Sequence, residues 1–265
     1  MAQQCVSASD QYFTFPALGT SAPPITMSIW FKVASIVVGK HTAMFCWRGS
    51  INTEFFLRSS GSTWQLRYSI AGGSQWNITT GLNVSTGIWQ HACVAITSSQ
   101  ARLYLDGTVF TANVSHGSTS FDDTGYLAKD PFEDGARVSF NGAIGEAAIW
   151  NAALTSEECQ ALAKRVSPLA LAQRIPNLVL YRDLMRETTR GIGPALTAVN
   201  SPTVAAHPPV VHRLGKTHIG VRPAHFVAPY LPARGITHTS RVARAAAETA
   251  GVSAGTIASY GEVSS

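Results

Sequence analysis

The sequence predicts an all-β fold: a two-sheet antiparallel jelly-roll sandwich with one short capped helix and an extended C-terminal arm. Three observations carry this. Apolar side chains recur at every second position in short segments up to Trp150. Turn residues separate those segments at short intervals, as in a sandwich. After Trp150 one segment changes to helical spacing and carries a capping signature.

The clearest strand is Ile25–Val33, where Ile25, Met27, Ile29, Phe31 and Val33 share one side. Ala43–Trp47 and Glu54–Arg58 are apolar, aromatic and bounded by Gly49-Ser50 and Ser59-Ser60-Gly61. Trp64–Ile70 alternates Trp64, Leu66, Tyr68 and Ile70, then meets Gly72-Gly73. Trp89–Thr97 and Ala101–Leu105 follow, joined by Ser98-Ser99-Gln100. Asp106-Gly107 makes a two-residue hairpin turn to Thr108–Val114, since glycine adopts positive φ freely. Val138–Ile144 and Glu146–Trp150 complete the strands. Thr155 then caps a helix with Glu158 three residues on, and Cys159, Leu162, Ala163 and Val166 form its apolar stripe. Lys164 and Arg165 are expected to complement its C-terminal dipole, and Pro168 to end it. Leu169–Ile175 reads as a further short helix and Leu178–Tyr181 as a returning strand.

These elements divide the chain into a jelly-roll domain over residues 1–167, a connecting segment over 168–206 and an arm over 207–265. The arm is rich in Pro, His and Arg and shows neither helical nor strand period, apart from a short Ala-rich helix expected over Ser240–Ala250. Charge follows the same boundary. Residues 1–163 hold 8 basic and 11 acidic side chains, whereas 164–265 hold 12 basic and 4 acidic. Charged residues are 13% of the chain, about half of ordinary usage. Such a surface fits a protein partly covered by partners.

The cysteines, Cys5, Cys46, Cys93 and Cys159, match no zinc or redox spacing, and Cys93 and Cys159 read as buried apolar side chains. The opening Met-Ala-Gln-Gln-Cys lacks the basic start and apolar run of a secretory leader. No stretch reaches the roughly 20 apolar residues of a membrane span, so no membrane partner is expected. Asn77, Asn83 and Asn113 open formal glycosylation sequons, read as chance.

Three stretches resemble the laminin-G-like, concanavalin-A-like jelly roll, which is also the pentraxin architecture. The first is Asp10-Gln11-Tyr12-Phe13 followed by Ile25–Val33 with Trp30. The second is Trp89-Gln90-His91-Ala92-Cys93-Val94-Ala95 with Ala101-Arg102-Leu103-Tyr104-Leu105-Asp106-Gly107. The third is Gly142-Ala143-Ile144-Gly145-Glu146 through Trp150-Asn151-Ala152-Ala153-Leu154-Thr155. Together they frame residues 1–165. Trp89 and Trp150 read as core or edge aromatics, and His91 as a satisfied strand histidine. Further on, Leu178–Leu184, Leu196-Thr197, Asn200–Thr203 and His207-Pro208-Pro209 resemble tails of phage-encoded proteins.

The resemblance brings a glycosidase to be tested, which needs two carboxylates facing across the bond. No strand carries such a pair: Glu54 and Glu146 each stand alone. No catalytic residue, cofactor or metal ligand is therefore assigned. Asp122, Asp123, Asp130, Glu133 and Asp134 form the densest acidic stretch; the resemblance raises calcium there, and a solvated loop is the favoured reading. His207, His212, His218, His225 and His238 lack metal-pair spacing and read as solvated arm histidines. Gly191-Ile192-Gly193 is not a phosphate fingerprint. The basic residues of the arm are dispersed, so docking on an acidic protein shell is preferred to nucleic acid.

The expected role is that of a non-enzymatic structural or decoration protein of a virion-like assembly. In that role the oligomeric chain docks by its arm and displays a lectin-like jelly roll. The alternative is a glycan-binding adhesin or lectin, with Trp47, Trp64 and Trp76 stacking on sugars and the acidic loop holding calcium.

Overall fold

Period-two sequence sorts each strand into a core side and an outer side, and the two core sides meet. The computed structural model describes residues 2–20, 22–48, 52–71, 76–114, 121, 123–131, 137–184 and 191–210. The chain runs β1 (Ala2–Cys5), β2 (Tyr12–Phe15), β3 (Ile25–Val33), β4 (His41–Trp47), β5 (Asn52–Ser60) and β6 (Thr63–Ala71). It continues β7 (Trp76–Val84), β8 (Gln90–Ile96), β9 (Gln100–Leu105), β10 (Thr108–Asn113), β11 (Gly125–Leu127) and β12 (Gly142–Trp150). Then come helix α1 (Ser156–Ala163), β13 (Leu178–Arg182), β14 (Gly191–Ile192), β15 (Thr197–Val199) and β16 (Thr203–Ala205).

One sheet is nine-stranded, in the order β10-β9-β8-β3-β12-β1-β16, with β13 and β14 branching from the far half of β12. The other is seven-stranded, in the order β15-β2-β11-β4-β5-β6-β7. The strand pairs are antiparallel. Ile25, Met27, Ile29, Phe31 and Val33 of β3 join Phe45, Trp47, Phe55, Leu57, Leu66 and Tyr68 of the seven-stranded sheet in one buried cluster. Asp106 and Gly107 both have positive φ, as a tight hairpin turn requires.

The outer side of the nine-stranded sheet is closed by α1. Cys93, Tyr104 and Trp150 from the sheet pack with Leu154, Cys159 and Leu162. Thr155 caps α1 through Glu158 N–H, and Glu158 returns to Thr155 N–H, so the capping box forms. All four cysteines are free and buried, with Cys93 and Cys159 Sγ atoms 3.6 Å apart.

Several expectations change. Val138–Asn141 is not strand; its amides bond irregularly, Val138 N–H to His41 O and Phe140 N–H to Ala128 O. The two strands expected around Gly145 are one strand, β12, interrupted by a bulge where Glu146 takes φ 53°. The extra residue restores parity, so Ile144, Ala147 and Ile149 all face the core. Helix α1 stops at Ala163, before Lys164 and Arg165, and Arg165 is left-handed rather than a dipole partner. Leu169–Ile175 is not an α-helix: two 3₁₀ turns, Pro168–Ala170 and Ala172–Asn177, flank Leu171, whose ψ of 68° breaks the helical path between them.

The stretch after α1 contributes edge strands to both sheets. Gly193 adopts φ 78° where a Cβ would sit 1.9 Å from Val179 O, so its role is backbone packing. Buried Arg182 holds this turn by donating to the carbonyls of Tyr181, Ile192, Gly193 and Pro194. After β16, His207 Nε2 lies 3.1 Å from the buried Glu146 carboxylate, so His207 is not a solvated arm histidine. The rest of the arm, including the expected helix over Ser240–Ala250 and the four later histidines, lies outside the described residues. No helix among the described residues is long and apolar enough to cross a membrane.

Candidate functional site

Directly paired residues of an antiparallel sheet share a face. Register therefore builds the outer face of the seven-stranded sheet row by row. Thr14, Tyr126, Cys46, Glu54 and Ser69 line one row across β2, β11, β4, β5 and β6. Ala43, Phe56, Arg67 and Thr79 line the next, and His41, Arg58, Gln65 and Asn83 the third. No helix packs on this face among the described residues, yet its centre is buried: Ala43, Cys46 and Phe56 form a small apolar cluster with Tyr126 against it. Otherwise the face is polar and cationic with aromatic rings set into it.

Its floor is a buried charge network. Arg48 Nε donates to Asp130 at 2.9 Å, and Arg48 Nη2 contacts both Asp130 and Glu54. Arg137 Nε meets Asp130 at 2.5 Å. His41 Nε2 stands 3.7 Å from Asp130 and 3.9 Å from Glu54, its ring edge-on to Phe56. The Asp130 side chain is wholly buried. Burial, and then the charge of Asp130, hold the Glu54 carboxyl above its usual range despite Arg48. Ligand atoms of His41, Glu54 and Asp130 lie within 4.8 Å of one another, a spacing a cation can use. Arg48 already bridges both carboxylates, so the protein's own guanidinium supplies that positive charge.

Beside this floor lies an aromatic pair. Tyr12 and Tyr126 are half-buried, with ring centroids 6.3 Å apart and planes tilted by 37°. Lys129 Nζ sits 4.6 Å above the Tyr12 ring and 2.5 Å from Asp10. Burial raises the Asp10 pKa, but hydrogen bonds from Lys129 and Ser139 outweigh it and leave it below the usual carboxylate value.

The expected site residues distribute unevenly. Trp47 and Trp64 are core side chains, buried within the sandwich, so neither can stack on a sugar. The Trp76 side chain lies outside the described residues. Glu54 is not alone: folding brings Asp130 beside it. Of the acidic stretch, Asp130 is committed to arginines, Asp123 is half-buried, and Asp122, Glu133 and Asp134 lie outside the described residues. His91 pairs through Nε2 with Ser28 Oγ at 2.8 Å, but its Nδ1 has no hydrogen-bond partner, so it is only half satisfied. His41, Arg48, Arg58, Arg67 and Tyr126 were not expected. In a strand such as β6 their signal is the alternation itself: Arg67, between core residues Leu66 and Tyr68, belongs to the other face.

No curated protein sequence matches the chain. Among solved structures, a proposed carbohydrate-binding protein from Bacteroides ovatus superposes with a TM-score of 0.53 at 14% identity. That match covers 77% of this chain and 62% of the other. A heptameric SAP-like pentraxin from Limulus polyphemus gives 0.46 at 16% identity, covering 77% and 98%. Tailspike protein 2 of an Escherichia coli O157:H7 bacteriophage gives 0.48 at 12%, covering 69% and 28%. The likeness to the first establishes the shared fold. The laminin G family profile described as the concanavalin A-like lectin/glucanases superfamily matches residues 7–160. That span holds both core faces and the outer-face strands β4 to β7, so the chain belongs to the concanavalin A-like lectin/glucanase superfamily.

Proposed function

We propose that this chain is a non-enzymatic glycan-binding module of a virion-like assembly. In this reading the outer face of the seven-stranded sheet holds a sugar, and the C-terminal arm docks the oligomeric chain on neighbouring subunits. The observation that carries the sugar reading is the half-buried Tyr12–Tyr126 pair, set among polar side chains at the margin of the buried Ala43–Cys46–Phe56 cluster. Tyrosine offers a sugar an apolar ring face together with a hydroxyl, at small entropic cost. The basic composition of residues 164–265 supports the docking role, since it complements an acidic shell. The absence of an assigned acid–base pair rests on Arg48, which occupies both nearby carboxylates, and on the burial of Asp130. Calcium is not required for binding in this reading.

Glycan-array binding tests the first half. Tyr126→Ala is expected to weaken the best glycan by about tenfold, the loss of one good aromatic contact. Chelator should leave binding unchanged, and the bound glycan should release no reducing ends. An array without signal would overturn the glycan reading, and particles that still incorporate a chain lacking residues 207–265 would overturn the docking role.

A further inference from the structure

We propose that the glycan is acidic, and that its carboxylate or sulfate groups seat between Arg58 and Arg67 on the outer face of the seven-stranded sheet. This rests on the glycan-binding reading above and specifies its ligand.

The register places the two arginines as neighbours. Arg58 of β5 is opposite Gln65, and Arg67 of β6 is opposite Phe56. They are thus diagonal partners on one face, a separation of roughly 7–8 Å between backbone positions that long side chains easily span. Arg58 is exposed and Arg67 half-buried. Neither has a carboxylate partner among the described residues. Arg67 makes one long hydrogen bond, from Nη2 to Gln65 Oε1 at 3.5 Å, and its buried Nε has no partner. Burial and then the charge of Arg58 pull the Arg67 pKa down.

Other arginines of the molecule are used differently. Arg48 and Arg137 neutralise Glu54 and Asp130, and Arg174 pairs with Glu158. Arg102 donates to Leu154 O and Ser156, and Arg182 to four carbonyls. Like charges close together on a sheet are destabilising by themselves. Two guanidinium forks with unused donors match the planar, bidentate geometry of a carboxylate or sulfate. His41 lies opposite Arg58, Thr79 opposite Arg67, and Gln65 bonds Asn83 at 3.4 Å. These groups rim the pair with further partners for sugar hydroxyls. Phe56, opposite Arg67, is buried, so the acidic polysaccharide would lie along the rim formed by Arg58, Arg67, Gln65 and Asn83.

The test is binding of the full chain to polygalacturonate, dextran sulfate, neutral galactan and duplex DNA, by biolayer interferometry at two salt concentrations. At least one acidic polysaccharide should bind and galactan should not. Arg67→Gln should weaken it by about tenfold and Arg58→Gln/Arg67→Gln by about a hundredfold, in line with loss of charge-assisted hydrogen bonds. Lys164→Gln, beyond the end of α1, should change nothing. The melting temperature of Arg67→Gln should hold or rise, because repulsion is relieved. The two polyanions separate carboxylate from sulfate preference. Duplex DNA binding as tightly, with the same sensitivity to both arginines, would overturn the proposal in favour of unspecific polyanion attraction. Binding to galactan alone would overturn it while leaving the glycan reading standing. A signal for no polysaccharide would remove both.

Discussion

The two sheets have similar inner faces and opposite outer ones. The nine-stranded sheet hides its outer side under α1, with Trp150, Tyr104, Cys93 and Cys159 in one apolar cluster. Polar groups caught there are neutral or locally paired, such as Ser28 with His91. The seven-stranded sheet keeps arginines, carboxylates, amides and half-buried tyrosines on its outer side. A sandwich needs only its interior dry to fold. The helix therefore closes one outer face, while the other is closed only at its centre, over Ala43, Cys46 and Phe56, and exposes Arg58 at its rim.

The contrast breaks most sharply at Arg48. Its guanidinium balances Glu54 and Asp130 within the open face, and removal strands carboxylate charge in a desolvated site. Arg48→Met should lose about 3–5 kcal/mol of stability in chemical denaturation. Arg48→Met/Glu54→Met restores charge balance, with Asp130 still on Arg137, and should recover most of that loss. If the single variant were as stable as the parent, the floor of the open face would be ordinary solvated surface.

Acid separates the faces by sign. His91 lies on the closed face, fully buried beside Trp30, and burial takes its pKa from 6.5 down to about 3. The unfolded chain binds the proton that the folded one refuses, so stability is present above pH 6.5 and lost as pH falls toward 3. The slope is about 1.4 kcal/mol per pH unit, so roughly 2 kcal/mol is gone by pH 5. Glu54 on the open face is shifted upward. Its contribution is therefore present at low pH and lost as pH rises through the folded value. Denaturation midpoints of the parent and His91→Gln between pH 7 and 5 should differ in slope, the variant being flatter. Equal slopes would mean that His91 is reached by water.

Much of the closed side is legible in sequence because its signals are local. Alternation marks β3 residue by residue, Asp106-Gly107 marks its turn, and Thr155 with Glu158 marks the helix start. The same alternation that marks β6 already puts Trp64 on the core side with Leu66 and Tyr68, which is why it cannot serve as a ligand platform. Strands β1, β2 and β11 are short, and β7 is interrupted by Thr79-Thr80-Gly81, so their periodicity is faint. Strands β14 to β16 hold two or three residues each and exist only through their partners. The open face is legible least, because it is assembled by register. Glu54 meets Asp130 only once β5, β4 and β11 are aligned, and no local pattern announces that alignment. The bulge at Glu146 hides in the same way, since one inserted residue makes a continuous strand read as two.

The smallest effect tests the helix that creates the asymmetry. Thr155 accepts from Glu158 N–H at 3.3 Å, and Glu158 accepts from Thr155 N–H at 2.7 Å while also holding Arg174. Thr155→Ala removes one half of this box and should reduce global stability by about 1 kcal/mol. An eight-residue helix has little stability of its own and is held by cap and packing together. Amide hydrogen exchange should therefore quicken in α1 and at Cys93 and Tyr104 beneath it, while β5 and β6 stay protected. If exchange quickened equally in both sheets, the helix would be integral to the whole sandwich, and the two outer faces would not be independent.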